Sequence, residues 1–310
     1  MKLATFESGG AQRIGVVDTA SGTVVDLQQA YHKTKGENSP FFVDMLALIE
    51  GGKAATELAA TTAASASGDE VLPLTSIRLL APLPVPPQIR DFFAFEQHFK
   101  NVNAMAAKLF GATPDIPPVW YEFPLYTKCN RFSVVGTEVD VNKPRYAEVL
   151  DFELELACIL GKRGVDIPRA SAFDYIFGFT IFNDVSARDF QMREQAGQLG
   201  PAKGKDFDTG NVLGPWIVTL DEIGDPHNLT MVARVNGEEW SRGNSGGMYH
   251  RFDRIIEHLS MNQTIFPGEV IGSGTAATGS GLEQGRFPPM GSVIELEIEK
   301  IGILRNRFVA

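Results

Sequence analysis

Residues 151–189 read DFELELACILGKRGVDIPRASAFDYIFGFTIFNDVSARD, and this stretch decides the fold of the chain. Its opening alternates between apolar and acidic residues, which is the pattern of a β-strand. Glu153 and Glu155 therefore project from the same face, roughly 6.5–7 Å apart. A helix-like run over residues 168–175 follows, and then an apolar strand, FGFTIF, that leads to Asp184. If the two strands are neighbours, three carboxylates converge.

Three carboxylates on a largely apolar framework favour a bound cation. Buried negative charges are costly unless a positive charge neutralises them. Oxygen-only ligation indicates a hard cation, Mg²⁺ first, with Mn²⁺ or Ca²⁺ as alternatives. The competing interpretation is that alternating Glu residues mark the solvent-exposed face of a half-buried sheet. The polar cluster DVSARDFQ at residues 184–191, directly after a strand that should be buried on both faces, favours the metal site.

Composition and charge narrow the class of protein. The 310 residues are 44% hydrophobic and 21% charged, which is typical of a soluble globular protein with a sizeable core. A formal net charge of −10 argues against nucleic acid or an anionic membrane as a partner. The two cysteines, Cys129 and Cys158, suit a reduced cytoplasm better than a disulfide framework. We find no signal-peptide pattern and no apolar run long enough to span a membrane, so we expect a cytoplasmic protein.

Two regions are expected along the chain. Residues 1–80 combine short strands with helical patterns at residues 41–49 and 52–66, and they predict a small N-terminal α+β domain. The proline-rich segment APLPVPPQ, residues 81–88, marks the boundary. Residues 81–310 are rich in strands, with a hairpin turn predicted at Asn236-Gly237. The predicted fold class is α+β, mainly β.

Four segments, in order, resemble the fumarylacetoacetate hydrolase family. They are DFELELACILGK (151–162), FNDVSARDFQ (182–191), LGPAKGKDF (199–207) and IGSGTAATGSGLEQG (271–285). The resemblance implies that residues 81–310 are the catalytic domain, folded as a rolled mixed β-sandwich. It also implies a homodimer, since members of the family commonly dimerise through this domain.

The resemblance also assigns roles to individual residues. An Asp that lies seven residues before a His supplies a metal ligand in the family, and that His is the general base. The implied metal ligands are Glu153, Glu155, Asp184 and Asp91. The implied catalytic residues are His98 as the base, Glu283 as the candidate for the acid that orients it, and Lys205 for charge stabilisation. The implied substrate-binding residues are Tyr126, Arg188, Gln191 and Thr275.

The expected activity is metal-dependent chemistry on a small anionic keto acid. The first hypothesis is Mg²⁺-dependent hydrolysis of a carbon–carbon bond in a 1,3-diketo acid, such as an acylpyruvate or a fumarylacetoacetate-like compound, with water activated by His98. Oxaloacetate decarboxylation, hydration of 2-oxo-4-pentenoates and isomerisation of hydroxymuconates remain open, because fold and metal do not decide between them. A non-catalytic binding protein that retains the fold is the alternative from another class.

Overall fold

The N-terminal region contains five strands and three α-helices. The structure, a computed structural model, describes residues 1–110 and 115–310. Helix α1 begins after Asp26, whose side chain accepts a hydrogen bond from the backbone N–H of Gln29, and it ends at Gly36 with a φ of 74°. The elements of this region are strands Lys2–Ser8 (β1), Ala11–Asp18 (β2) and Thr23–Asp26 (β3), helix Leu27–Lys35 (α1), 3₁₀ helix Pro40–Phe42, helices Met45–Glu50 (α2) and Gly52–Ser65 (α3), strand Val71–Pro73 (β4), 3₁₀ helix Leu74–Ser76 and strand Arg78–Leu79 (β5).

The central region contains residues 151–189, the stretch with the alternating glutamates. The helix-like run predicted at residues 168–175 is a 3₁₀ helix. The elements are strand Ile89–Phe92 (β6), helices Glu96–Phe110 (α4) and Pro118–Glu122 (α5), strands Tyr126–Cys129 (β7), Val134–Val135 (β8), Asp140–Asn142 (β9), Leu150–Asp151 (β10) and Leu154–Leu160 (β11), 3₁₀ helix Arg169–Tyr175, strands Ile176–Asp184 (β12) and Ser186–Ala187 (β13), helix Arg188–Gln195 (α6) and strand Asn211–Thr219 (β14).

The C-terminal region adds a second sheet. Asn236 and Gly237 have φ values of 52° and 79° and join two of its strands, which confirms the predicted hairpin turn. The elements are helix Leu220–Ile223 (α7), strands Thr230–Val235 (β15) and Glu238–Asn244 (β16), 3₁₀ helix Ser245–Gly247, helix Phe252–Ser260 (α8), strand Val270–Gly272 (β17), helix Gly281–Gln284 (α9) and strands Val293–Ile298 (β18) and Gly302–Val309 (β19).

Two mixed sheets pack against each other. Across the described ranges, the larger sheet has 12 strands in the order β4-β3-β2-β1-β14-β12-β11-β17-β6-β7, with β5 beside β1 and β8 beside β14. The smaller sheet has the order β16-β15-β18-β19-β9. Strands β14, β12 and β11 contact β19, β18 and β15, so apolar side chains of both sheets form one core. The predicted fold class, α+β with a mixed β-sandwich, is confirmed.

The N-terminal strands extend the large sheet. Strand β1 pairs antiparallel with β14, and Leu3 lies opposite Ile217. Leu27 and Leu48 of the N-terminal helices pack in the same buried cluster as Ile159 of β11. Residues 1–80 thus share both a sheet and a core with the larger region, and the domain boundary at residue 80 stays a prediction.

The two decisive strands are neighbours and are buried on both faces. Strands β11 and β12 pair antiparallel, with Leu154 opposite Asn183 and Glu155 opposite Phe182. Every residue of both strands is buried, and so is Glu153. This burial excludes the interpretation that the glutamates lie on a solvent-exposed face. In the part of the chain that the structure describes, no helix has the length and apolar character to cross a bilayer.

Candidate metal centre and active site

Carboxylates from three strands meet on one face of the large sheet. Strand β17 pairs antiparallel with β11 and parallel with β6, and these pairings align Ala157, Gly272 and Asp91 across the sheet. Asp91, Glu155 and Asp184 each offer one carboxylate oxygen, and these oxygens lie within 4.8 Å of one another. The convergence predicted from two strands therefore involves a third strand, β6.

Gly272 makes the approach of two of these carboxylates possible. A Cβ atom at this position would lie 2.8 Å from Asp91 Oδ1 and 2.8 Å from Glu155 Oε2. Any side chain here would therefore occupy the space between the two carboxylates. The glycine belongs to the motif IGSGTAATGSG, but its role depends on the sheet register.

One oxygen of each carboxylate in the cluster has no hydrogen-bond partner among the described residues. Asp91 Oδ1, Glu155 Oε1 and Asp184 Oδ1 are buried and have no hydrogen-bond donor among the described residues. Burial raises the pKa of all three carboxyl groups, and raises that of Glu155 and Asp184 well above the usual range. A divalent cation would satisfy these oxygens and stabilise their charged forms. The oxygen-only donor set therefore fits a hard metal ion.

Glu153 is placed differently from the other predicted ligands. Its Oε1 accepts a hydrogen bond from Arg188 Nη2 at 2.8 Å, and its Oε2 accepts one from Lys205 Nζ at 2.7 Å. Burial acts to raise the pKa of Glu153, but Lys205 and Arg188 outweigh it and hold this pKa well below its usual range. Glu153 thus lies beside the three-carboxylate cluster and is paired with two cations, Arg188 and Lys205. Its role as a metal ligand stays a prediction.

Lys205 connects Glu153 with the cluster. Besides Glu153, its Nζ contacts Asp184 Oδ2 and lies 3.2 Å from the backbone oxygen of Asp184. Burial acts to lower the pKa of Lys205, but Asp184 and Glu153 raise it above its usual range. The side chain therefore stays protonated at neutral pH and holds a positive charge beside the cluster.

His98 lies against Glu283. The His98 Nδ1 to Glu283 Oε2 distance is 2.9 Å, although the N–H direction is poorly aligned for a hydrogen bond. Glu283 is held by Thr278 N at 2.8 Å, by Asn101 Nδ2 at 2.9 Å and by Ser280, with which it forms a capping box at the start of α9. Glu283 is thus fixed before it contacts the histidine. Such contacts tighten in the complex with substrate, so this alignment is compatible with a catalytic role.

One cavity of about 270 Å³ gathers nearly all the predicted site residues. Glu283 lies behind His98 and outside the lining. The predicted residues that line the cavity are Asp91, His98, Tyr126, Glu153, Glu155, Asp184, Arg188, Gln191, Lys205 and Thr275. The cavity also has an apolar wall, none of whose residues the sequence predicted as part of the site: Phe92, Phe93, Val102, Leu125, Met192 and Leu282. Apolar residues within strands and helices carry no local signal that separates a cavity wall from the core.

Arg188 and Gln191, both predicted to bind substrate, are bonded to each other. Arg188 Nη1 donates to Gln191 Oε1 at 2.8 Å, and its Nε and Nη2 donate to Asp151 Oδ2 at 3.1 and 2.7 Å. The sequence analysis treated Asp151 only as the beginning of a strand. The sequence did contain one indication of its role: Asp151 is a charged residue at the start of the motif DFELELACILGK, which continues into a buried strand.

Comparison with known proteins agrees with this geometry. The family model described as "Fumarylacetoacetate (FAA) hydrolase C-terminal" matches residues 88–309. Human "Oxaloacetate tautomerase FAHD2A, mitochondrial" is 34% identical, with coverage of 86% of this chain and 79% of the relative. A Bos taurus protein of the same name is 31% identical, with coverage of 100% and 92%.

Solved structures support the same assignment. The fumarylacetoacetate hydrolase of Exiguobacterium antarcticum has a TM-score of 0.74 and 27% identity, with coverage of 100% of this chain and 99% of that one. A 5-carboxymethyl-2-hydroxymuconate delta-isomerase from Mycobacterium smegmatis has a TM-score of 0.70 and 25% identity, with coverage of 100% and 99%. The chain therefore belongs to the fumarylacetoacetate hydrolase family of enzymes.

Proposed function

We propose that the protein is a divalent-metal-dependent enzyme that interconverts the keto and enol forms of a small 2-oxo acid. The observation that carries the proposal is the meeting of three carboxylates, Asp91, Glu155 and Asp184, in the cavity that also contains His98. Each of them has one buried oxygen without a partner among the described residues. The names of the human and bovine relatives support oxaloacetate as the substrate to test first.

The carboxylate cluster would hold the metal ion. Asp91, Glu155 and Asp184 would be ligands, with Glu153 as the fourth, and Mg²⁺ is the ion we propose, with Mn²⁺ or Ca²⁺ as alternatives. When bound, the cation supplies Lewis-acid polarisation of the substrate's carbonyl oxygen and stabilises the negative charge that develops there.

His98 is the candidate base. Its Nδ1 faces Glu283, so Nδ1 carries the proton and Nε2 is left to act as the base. The ring also packs edge-on against Phe93, with ring centroids 5.1 Å apart, which restricts its orientation. Nε2 takes a proton from the carbon next to the substrate's carbonyl group, and the protonated histidine then delivers a proton to the enolate oxygen, which completes the enol.

The other polar residues of the cavity would bind the substrate and balance its charge. Lys205, held between Glu153 and Asp184, keeps a positive charge beside the reacting oxygen. Tyr126 and Thr275 line the same cavity and offer hydroxyl groups. These contacts favour a short, polar acid, in keeping with the size of the cavity.

The second candidate is hydrolysis of a carbon–carbon bond in a 1,3-diketo acid, the activity predicted from the sequence. The pairing of His98 with Glu283 favours it, because such a pair can also deprotonate water. His98 Nε2 takes a proton from water, and the hydroxide attacks the distal carbonyl carbon. The bond to the neighbouring carbon then breaks, and the pyruvate enolate that leaves takes up a proton. The E. antarcticum structure supports this candidate by similarity.

A product assay distinguishes the candidates. The purified protein is incubated with oxaloacetate or an acylpyruvate, with Mg²⁺ or with a chelator, while the enol ultraviolet band and the products are followed. Mg²⁺-dependent change of the enol band without new products supports tautomerisation. Pyruvate plus a carboxylic acid from the acylpyruvate supports hydrolysis, and carbon dioxide from oxaloacetate indicates a decarboxylase. Ligand binding without any conversion would overturn both candidates and favour a binding protein.

We also propose that the enzyme works as a cytoplasmic homodimer without a nucleic-acid or membrane partner. The proposal of a dimer rests on the family resemblance. The proposal of a cytoplasmic location rests on the composition, which includes only two cysteines. Light scattering during size-exclusion chromatography should give twice the chain mass of 33.8 kDa. A mass of one chain at micromolar concentration would contradict the dimer.

A further inference from the structure

Asp151 is fully buried, and both of its oxygens are occupied by hydrogen bonds. Its Oδ1 accepts from the backbone N–H of Phe152 at 3.0 Å and of Gly281 at 2.8 Å. Its Oδ2 accepts from the backbone N–H of Leu282 at 2.9 Å and from two nitrogens of Arg188. Asp151 is not among the described residues that line the cavity, so it has no direct contact with a substrate there.

The hydrogen bonds from Gly281 and Leu282 hold the start of helix α9, which carries Glu283. Gly281 and Leu282 are the first two residues of α9, and Glu283 follows them directly. A Cβ atom at Gly281 would lie 2.5 Å from Asp151 Oδ1, so the glycine permits this close approach. Through these two backbone bonds, Asp151 sets the position of the carboxylate that contacts His98.

The other set of bonds fixes a cation on the metal side. Arg188 Nη2 donates to Asp151 Oδ2 at 2.7 Å and also to Glu153 Oε1 at 2.8 Å. The second oxygen of Glu153 contacts Lys205, which in turn contacts Asp184. Asp151 therefore anchors the arginine that orients Glu153 beside the carboxylate cluster.

We propose that Asp151 is a positioning residue that holds the two halves of the active site in register. It fixes Arg188 against Glu153 on the metal side, and it fixes the start of α9, and so Glu283, on the side of the base. The inference rests on the proposed function, in which metal site and base act on the same substrate. One buried carboxylate thereby couples two groups that must stay at a fixed separation.

The direct test is Asp151→Asn. An amide has one acceptor oxygen, so its nitrogen would face either the N–H groups of Phe152 and Gly281 or those of Leu282 and Arg188. In both orientations one bond to α9 is lost and the negative charge that pairs with Arg188 is removed, while the size is kept. At saturating metal we expect kcat to fall about 10- to 100-fold with little change in KM, and the Kd for Mn²⁺ or Mg²⁺, measured by calorimetry, to rise about tenfold. A folded Asp151→Asn protein with kcat and metal Kd within about twofold of the wild type would overturn the proposal.

Glu70→Gln is the matched control. Glu70 is also a buried carboxylate that accepts two backbone N–H groups, from Ser67 and Gly68, and one cationic side chain, Lys33. It lies in the N-terminal region and is not among the described residues that line the cavity. We expect the kcat and the metal affinity of the Glu70→Gln protein to match those of the wild type. Equal losses in both variants would show a general folding effect and would overturn the proposal.

Gly281→Ala separates the two sides and covers the case in which Asp151→Asn does not fold. Its Cβ atom would lie 2.3 Å from the backbone oxygen of Arg286 and 2.5 Å from Asp151 Oδ1, so the start of α9 must shift, while the contacts of Asp151 with Arg188 stay in place. We expect a lower kcat with an unchanged metal Kd, whereas an unchanged kcat would overturn the role of Asp151 on the base side.

If the wild type converts no 2-oxo acid, the proposed function fails. The metal Kd of Asp151→Asn still decides whether Asp151 positions the metal side.

Discussion

The carboxylates of Asp91 and Glu155 meet across a strand that belongs to neither of them. Strand β17 lies between their strands, and at the meeting point it carries Gly272. Two like charges from next-nearest strands can approach only where the intervening residue has no side chain. The two carboxylates repel each other unless a cation binds between them. The close approach that Gly272 permits is therefore what the metal site requires.

Gly272→Ala should therefore abolish tight metal binding. The new methyl group would lie between the oxygens of Asp91 and Glu155 and force them apart. We expect the Kd for Mg²⁺ to rise by at least about tenfold in a titration calorimetry experiment. Gly243→Ala is the control, since its Cβ would meet only Ala277 O at an ordinary 3.4 Å. Wild-type affinity in Gly272→Ala would contradict this account of the site.

Without metal, the contribution of the carboxylate cluster to the free energy of unfolding should fall as the pH rises. Burial raises the pKa values of Glu155, Asp184 and Asp91, so between the unfolded and the folded pKa values the folded state binds more protons than the unfolded state. The stabilising effect of this protonation is complete below the unfolded pKa values and is lost as the pH rises through the folded ones. In thermal unfolding with a chelator, the three carboxyl groups should lower the Tm at pH 8 relative to pH 5. His227, His250 and His258, whose pKa values burial lowers, act in the opposite direction.

Two comparisons test the origin of this effect. Mg²⁺ should raise the Tm more at pH 8 than at pH 5, because the ion binds the charged carboxylates. Glu155→Gln should reduce the pH dependence in the chelated protein. If Glu155→Gln and the wild type lose the same Tm between pH 5 and pH 8, the cluster is not the source.

His98→Ala should remove turnover and spare the metal. A positioned base contributes about 10²- to 10⁴-fold to the rate, so we expect a loss of kcat in this range with metal affinity unchanged. The control is His32→Ala, which changes a histidine on α1 in the N-terminal region. Undiminished kcat in His98→Ala would eliminate its role as the base.

Glu283→Gln should act through His98. The amide can still accept a hydrogen bond but no longer offers a negative charge to the ring, so we expect a loss of kcat smaller than that of His98→Ala. Combined with His98→Ala, the change should cost little more, because residues that act as a unit are not additive. Full additivity of the two losses in steady-state kinetics would show that they act separately.

Glu153→Gln tests the fourth predicted ligand. If Glu153 binds the metal as expected, the variant should lose metal affinity and turnover together. Calorimetry with Mg²⁺ measures the first and the product assay the second. Retained affinity with lost turnover would instead assign Glu153 to orienting Lys205 and Arg188, the two cations it contacts.

Much of the site could be predicted because it depends on local pattern. The alternation around Glu153 and Glu155 predicts that both lie on one face of a strand, and the apolar run before Asp184 predicts a buried neighbour. The family motifs located His98 and Lys205, and the cavity brings them together with the carboxylates. These features follow from strand geometry and from segments that can be recognised without the rest of the chain.

The sequence by itself determined the fold class, the family and the identity of the charged groups around the cavity. Only the tertiary structure decided how they are divided: Asp91 joins Glu155 and Asp184, while Glu153 contacts Arg188 and Lys205. The order of strands β6, β17 and β11 sets the first grouping. The second depends on packing between segments far apart in the chain. Side-chain direction along one strand is a local property, whereas the partner that a buried charge meets is set by cross-strand register and long-range packing.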